Sequence, residues 1–272
     1  MGRPNVPLPS GGVNDSPVTA PSRPIARRAA SAVWATLSRN RRLLRVLAVI
    51  IAVLAGVNFV TRFGPIHTGI EVEPAVAVAL IVLARRHGLS WHDLGLSRRT
   101  WGRGLRYAAT GVAAVAAVYL VGLIVPLTRQ AFIDSRYELG AGTALLTGLV
   151  LVPLGTVLLE EVAFRGVLIG LLGRHKNLTL AISVSSVLFG LWHVLPSLAM
   201  GANRLVASVV GEGVLSHVLM VAVVVAFTGG AGWLLCEVRR RSGSLLAPVG
   251  LHWATNGLGV LLTSALWSLR LV

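Results

Sequence analysis

Residues 149–166 read Leu149-Val-Leu-Val-Pro-Leu-Gly-Thr-Val-Leu-Leu-Glu-Glu-Val-Ala-Phe-Arg-Gly166, an apolar run that ends in two adjacent carboxylates and an arginine. On insertion scales, an ionisable residue at mid-membrane costs about 2.5–3.5 kcal/mol, so such residues face protein or a water-filled cavity. Three of them within six positions indicate chemistry or transport inside a bundle of membrane helices.

The composition is that of a membrane protein. The chain has 272 residues, of which 54% are hydrophobic and 13% charged, and its mean hydropathy is +0.75. Several apolar runs approach the roughly 20 residues that a helix needs to cross a bilayer. The single cysteine, Cys236, excludes an internal disulfide. We therefore predict an all-α, polytopic transmembrane bundle rather than a soluble domain.

The apolar runs predict about seven membrane-spanning helices. The second is the weakest, because Glu71, Glu73 and Pro74 interrupt its first half. We expect these three residues at the membrane interface, and a re-entrant segment is the alternative. The predicted spans are Leu43–Val60, Ile66–Ala84, Leu105–Leu127, Thr143 to about Ala163, about Ser183 to Met200, Val214–Leu235 and Leu246–Trp267.

The distribution of basic residues predicts the orientation. The chain holds 24 Arg and one Lys. The N-terminal segment and the loops on its side of the predicted spans hold nineteen of them, and the segments on the opposite side hold five. Arg165 is left out of this count because it belongs to the acidic motif of the fourth span. Because cytoplasmic loops carry the basic excess, this split places the N-terminus in the cytoplasm and predicts a multi-pass protein of the cell membrane. It also accounts for the net charge of +15 without a nucleic-acid partner. Residues 1–40, rich in Pro, Ser, Gly and Arg, are predicted to be a disordered basic tail, and residues 41–272 a membrane domain.

The two acidic residues of the first segment are expected to differ in role. On a helix, Glu161 and Arg165 lie one turn apart with the acid first, which is the better orientation for an ion pair. Glu160 points about 100° away from Glu161. We therefore expect Arg165 to neutralise Glu161, and Glu160 to face a cavity where it can act as a general base. The alternative is that all three residues form a polar cluster between helices whose role is purely structural.

Two later helices carry polar residues of the same kind. His193 ends the run Phe189-Gly-Leu-Trp-His, and His252 lies four residues before Asn256, on the same helical face. A histidine in such a run is, taken alone, more often a hydrogen-bonded core residue than a catalytic one. Because unpaired polar groups in hydrocarbon are costly, the three helices together are most simply explained by one shared polar cavity.

Together these motifs resemble those of the CPBP family of intramembrane proteases, which includes the type II CAAX prenyl endopeptidases and bacterial immunity-type relatives. The motifs are Glu-Glu-x-x-x-Arg at 160–165, Phe-x-x-x-His at 189–193 and His-x-x-x-Asn at 252–256. The resemblance implies an intramembrane endopeptidase whose family-like core covers about residues 143–268.

The resemblance also implies a role for each matching residue. The first acid of the first motif would be the general base on a water, helped by the histidine of the second motif. The second acid and the arginine would be the supporting pair, and the third motif would stabilise the tetrahedral oxyanion. In that order, the implied catalytic residues are Glu160, His193, Glu161, Arg165, His252 and Asn256.

The cofactor and the substrate stay open at this stage. Glu160, His193 and His252 would make a three-ligand Zn²⁺ set with one open position, but the chain has no His-Glu-x-x-His sequence of soluble zinc proteases. The expected partners are membrane lipid and a membrane-associated peptide or protein substrate. The richness in Ala, Val and Arg with a single Lys indicates a bacterial source, where prenylated substrates are not expected. Two other functions stay open: a non-catalytic bacteriocin-immunity or scaffolding protein of the same fold, and a proton-coupled transporter.

Overall fold

The computed structural model describes residues 1–2, 25–64, 68–125, 128, 138–175, 177–198 and 213–269. Within these ranges the chain is helical and contains no strand, so the all-α prediction is confirmed. Seven long helical stretches follow one another. They are α1 (Ile25–Phe63), α2 (Thr68–Arg86), α3 (Trp101–Ile124), α4 (Ala141–Arg174), α5 (Leu178–Ser197), α6 (Val214–Ser242) and α7 (246–268).

The chain divides into two compact units, residues 1–45 and 46–272. In the first unit, α1 begins at Ile25. Residues 3–24 lie outside the described residues, and the prediction that the segment 1–40 is a disordered tail stays a prediction. The second unit contains the rest of α1 and the six later helices, including every residue of the three motifs.

Five of the described helical stretches are long and apolar enough to cross a membrane. They are Arg41–Phe63, Arg98–Ile124, Ala141–Arg174, Leu178–Ser197 and Val214–Ser242. Helix α2 is not among them, and it carries four charged residues at Glu71, Glu73, Arg85 and Arg86. Helix α7, with its polar residues at His252, Thr255 and Asn256, is not among them either. The predicted count of seven spans and the cytoplasmic N-terminus are therefore not confirmed.

Helix α1 shows how the spans are built. Val46, Ile50, Leu54 and Val57 recur on one helical face and are buried. The other faces present exposed apolar side chains such as Phe59. A helix that is apolar all round is typical of a membrane span.

Helix α2 buries one face against residues 153–168 of α4. The buried residues of this face are Glu73, Ala77, Leu80 and Ala84, which recur at helical spacing. The sequence predicts Glu73 at the membrane interface, whereas the structure places it inside the bundle, only 5% exposed. Glu71, two residues earlier, is exposed.

Helix α4 departs from regular α-helix along most of its length. It contains π-helical turns at Thr147–Leu151, Pro153–Val157 and Glu161–Leu168. Pro153 cannot donate a backbone hydrogen bond, and neighbouring helices can satisfy the carbonyls that such irregular turns release. Within the third of these turns, the carbonyl of Phe164 accepts a 2.7 Å hydrogen bond from the Ser185 hydroxyl of α5. A further π-helical turn at Ala254–Leu258 lies in α7, and turns of this kind are frequent at functional sites.

Helices α5 and α6 pack closely through glycines. Helix α5 begins with an N-cap at Asn177, whose side chain accepts from the Leu180 N–H at 2.7 Å. Towards its end, Gly190 lies against Gly229, and a Cβ atom at Gly190 would come within 2.7 Å of the Val225 carbonyl oxygen. Small residues let membrane helices approach in this way, and the contact fixes the end of α5, where the second motif lies.

Candidate active site

The acidic pair of α4 lies in the interior of the second unit. The side chain of Glu160 is 3% exposed, and those of Glu161 and Arg165 are fully buried. Buried charges are costly unless they are paired and hydrogen-bonded, so the partners of these residues define the site.

Glu161 and Arg165 form the ion pair that their spacing predicts. The Nη1 atom of Arg165 donates to Oε1 of Glu161 at 2.9 Å. The guanidinium carbon of Arg165 also lies 3.9 Å from the centroid of the Phe189 ring, which is a cation–π contact between α4 and α5. This pair therefore fixes the two helices relative to each other.

His252 of α7 joins both glutamates. Its Nδ1 atom lies 2.8 Å from Oε1 of Glu161, so the imidazole donates to the same oxygen that Arg165 binds. Its Nε2 atom lies 3.7 Å from Oε2 of Glu160 and 3.3 Å from Nδ2 of Asn256. The hydrogen bond to Glu161 orients the ring and leaves Nε2 facing Glu160 and Asn256.

Glu160 has a further partner that the sequence did not identify. The indole N–H of Trp192 donates to Oε1 of Glu160 at 2.9 Å. The backbone carbonyl of Trp192 in turn accepts a 2.7 Å hydrogen bond from the side-chain amide of Asn58 in α1. The other carboxylate oxygen of Glu160, Oε2, is buried and has no hydrogen-bond partner among the described residues.

His193 lies beside this cluster without a described hydrogen bond to Glu160. Its Nδ1 atom is 2.8 Å from the carbonyl oxygen of Phe189, one turn earlier in α5. The imidazole packs edge-on against the Phe189 ring, with centroids 4.8 Å apart, and the same ring packs against His252 at 5.9 Å. The residues of all three motifs are thus brought together, with Phe189 between the two histidines.

Glu73 adds a third carboxyl group close to the pair. It lies on the face of α2 that packs against α4, and its charge interacts electrostatically with that of Glu160. Its Oε2 atom is buried without a hydrogen-bond partner in the described part of the chain. A sequence signal existed, because Glu73 shares a helical face with the apolar residues Ala77, Leu80 and Ala84.

The hypothetical zinc ligands do not form a metal site in this structure. Among the described residues, no group of three or more His, Cys, Asp or Glu side chains is arranged to hold a metal ion. Both proposed histidine ligands use Nδ1 in a hydrogen bond, His193 with a backbone carbonyl and His252 with Glu161, which leaves only Nε2 of each ring for another contact. The arrangement suits acid–base chemistry between a carboxylate and an imidazole.

An apolar cavity of about 240 Å³ adjoins the site. It lies between α1, α4 and α5, and Trp192, the hydrogen-bond donor to Glu160, forms part of its wall. Ligand pockets for drug-sized molecules measure roughly 300–1,000 Å³, so this cavity suits an apolar side chain or a short length of hydrocarbon. Its other lining residues include Leu54, Ala55 and Phe164.

Comparison with known proteins agrees with the motif analysis. Residues 142–258 match the model of the family described as type II CAAX prenyl endopeptidase Rce1-like. The resemblance to the CPBP intramembrane proteases is thereby confirmed, and the family points to a membrane-embedded protease. No curated protein matches the chain significantly, and no solved structure does.

Proposed function

We propose that this chain is an intramembrane endopeptidase, because residues 142–258 match the model of the type II CAAX prenyl endopeptidase Rce1-like family. It hydrolyses a peptide bond in or near the membrane, using a water molecule that Glu160 activates.

One observation carries this proposal. Glu160 is buried, its Oε1 atom is held by the Trp192 indole at 2.9 Å, and its Oε2 atom has no hydrogen-bond partner among the described residues. The same Oε2 atom lies 3.7 Å from Nε2 of His252. A carboxylate held by one oxygen, with the other facing an imidazole, is positioned to accept a proton from water.

The reaction follows from these positions. Oε2 of Glu160 takes a proton from the water while the water oxygen attacks the scissile carbonyl carbon, which produces a tetrahedral oxyanion. Nε2 of His252 and the amide N–H of Asn256 donate to that oxyanion. The intermediate then collapses, the C–N bond breaks, and Glu160 returns its proton to the leaving amine.

The remaining residues hold the reacting groups in position. His252 donates from Nε2 only when it is protonated at both nitrogens, and the carboxylates of Glu160 and Glu161 supply the balancing negative charge. Arg165 anchors Glu161. His193 borders the cluster through Phe189, where it assists the water from the half-buried end of α5.

The substrate is a membrane-associated peptide or protein, bound beside membrane lipid. Its apolar portion enters the cavity next to Trp192, which places the scissile bond close to Glu160. We further propose a bacterial source and location in the cell membrane as a multi-pass protein, so that the substrate is not a prenylated one.

Proteolysis by the purified chain is the direct test of this function. The full chain and its Glu160→Ala variant are reconstituted in proteoliposomes with a library of lipid-anchored peptides, and products are identified by mass spectrometry. The proposal predicts defined cleavage products with the wild type alone. Equal products with both proteins would reveal a contaminating protease, whereas proton or solute flux without cleavage would favour a transporter.

A further inference from the structure

A second, strongly cationic cavity of about 420 Å³ lies among α3, α4, α5, α6 and the segment that joins α2 to α3. It shares no lining residue with the proposed active site. Among its described lining residues there is one carboxylate against four arginines. The charged lining residues are Asp93, Arg103, Arg174, Arg239 and Arg240.

The cavity lies where the candidate membrane spans end. Four of the five candidate spans begin or end beside it: one begins at Arg98, one ends at Arg174, one begins at Leu178 and one ends at Ser242. The cavity therefore lies at the level at which helices leave the hydrocarbon, where phospholipid headgroups are found.

Arg239 is the least exposed of the four arginines. Its side chain is 7% exposed, and its Nη2 atom donates to the carbonyl oxygens of His92 at 3.3 Å and Asp93 at 3.0 Å. Its Nε atom is buried and has no hydrogen-bond partner among the described residues. A buried cation with an unused donor is costly unless an anion approaches it.

Two of the other arginines also donate to backbone carbonyls. Nε of Arg103 donates to the Ser242 carbonyl at 2.6 Å, and Nη1 of Arg174 donates to the Gly88 carbonyl at 2.7 Å. Such contacts position the guanidinium groups without cancelling their charge.

Two of the four arginines pair with a carboxylate. Arg240 binds Glu237, which does not line the cavity, through Nε and Nη2 at 2.6 Å each. Nη2 of Arg174 lies 3.0 Å from Oδ2 of Asp93. Burial raises the pKa of Asp93, but hydrogen bonds from Ser90 and the charge of Arg174 outweigh this effect and lower it. Asp93 is therefore ionised at neutral pH, and the cavity keeps an excess of positive charge.

We propose that this cavity binds the phosphate of an anionic phospholipid. Guanidinium groups bind phosphate oxygens in a bidentate geometry, and basic pockets between membrane helices are typical sites for anionic headgroups. The apolar part of the wall, which includes Ile169, Leu178 and Ile182, contacts the start of the acyl chain.

Binding of short-chain lipids to the full chain in detergent tests this site. Dihexanoyl phosphatidylglycerol, dihexanoyl phosphatidylcholine and inorganic phosphate are titrated separately by thermophoresis. Arg103→Gln and Arg240→Gln are compared with Arg241→Gln, and thermal unfolding confirms that each variant is folded. Arg241 is the matched control, because it also pairs with Glu237 but does not line the cavity.

The expected result is saturable binding of phosphatidylglycerol, with little binding of the zwitterionic lipid. An arginine near the membrane surface contributes about 1 kcal/mol to such binding, so Arg103→Gln and Arg240→Gln should each weaken it about fivefold, and Arg241→Gln should not. An equal loss of affinity in all three variants would show that binding depends on general surface charge, and it would overturn the proposal. Phosphate binding as tight as that of the lipid would overturn the assignment to a lipid.

Discussion

The carboxylate of Glu161 and the imidazole of His252 lie 2.8 Å apart although 91 residues separate them in the chain. Because the same carboxylate oxygen binds Arg165 at 2.9 Å, one group both neutralises a buried cation and orients the imidazole that faces Glu160. Stability and the proposed catalysis therefore depend on the same side chain.

Replacing Glu161 should damage both properties. Glu161→Gln keeps the shape of the side chain but leaves Arg165 buried without a counter-charge, and removing one partner of a buried pair costs about 3–5 kcal/mol. We expect a large fall in the thermal unfolding midpoint in detergent, together with loss of peptide cleavage. Glu237→Gln is the control, because that carboxylate pairs with Arg240 on the surface and should change neither. Similar midpoints for the two variants would contradict the structural role of Glu161.

Trp192→Phe tests the donor that holds Glu160. The substitution keeps an aromatic ring and the backbone carbonyl that Asn58 binds, but removes the N–H that donates to Glu160. Hydrogen bonds to charged groups contribute about 1.5–3 kcal/mol, so kcat should fall roughly ten- to hundredfold. Trp253→Phe loses a similar N–H, which donates to the Gly148 carbonyl at 2.8 Å, and should cleave nearly normally. Normal cleavage by Trp192→Phe would show that the indole does not position Glu160.

Gly190→Ala tests the close packing of α5 on α6. The added Cβ atom would lie 2.7 Å from the Val225 carbonyl oxygen, so the helices must separate, and overpacking costs typically about 1–3 kcal/mol. We expect a lower unfolding midpoint and slower cleavage, since α5 carries Trp192 and His193. Gly230→Ala, where an added Cβ meets nothing within 4 Å, should be neutral or slightly stabilising. The packing account fails if the two variants unfold alike.

Ala55→Phe tests whether the apolar cavity receives the substrate. Ala55 lines the cavity beside Trp192, so a larger side chain there should exclude the apolar part of the substrate. KM should rise severalfold while kcat changes little, because the side chains bonded to Glu160 are untouched. Ala52→Phe, also exposed on α1 but not a lining residue, is the matched control. Equal KM values for the two variants would place substrate binding elsewhere.

The sequence predicted the parts of the site that depend on local spacing. The Glu161–Arg165 pair follows from one helical turn, and it is present. The three motifs were expected to meet because each would be costly alone in hydrocarbon, and they do meet. The catalytic roles assigned to these residues remain predictions.

Other features depend on packing that local spacing cannot determine. The hydrogen bond from Trp192 to Glu160 spans 32 residues, and that from Asn58 to Trp192 spans 134. The burial of Glu73 required knowing which face of α2 meets α4. The number of spans is a similar case, since α2, with four charged residues, and α7, with His252 and Asn256, are not among the candidate spans although both pack in the bundle.

The central claim is that Glu160 activates the attacking water, and cleavage of an identified membrane-anchored peptide by Glu160→Gln tests it most directly. The substitution keeps the size of the side chain and an oxygen that can accept from Trp192, but it removes the base. The account predicts a folded variant whose kcat is reduced at least about a hundredfold, with KM nearly unchanged. A folded Glu160→Gln variant that cleaves at the wild-type rate would contradict it.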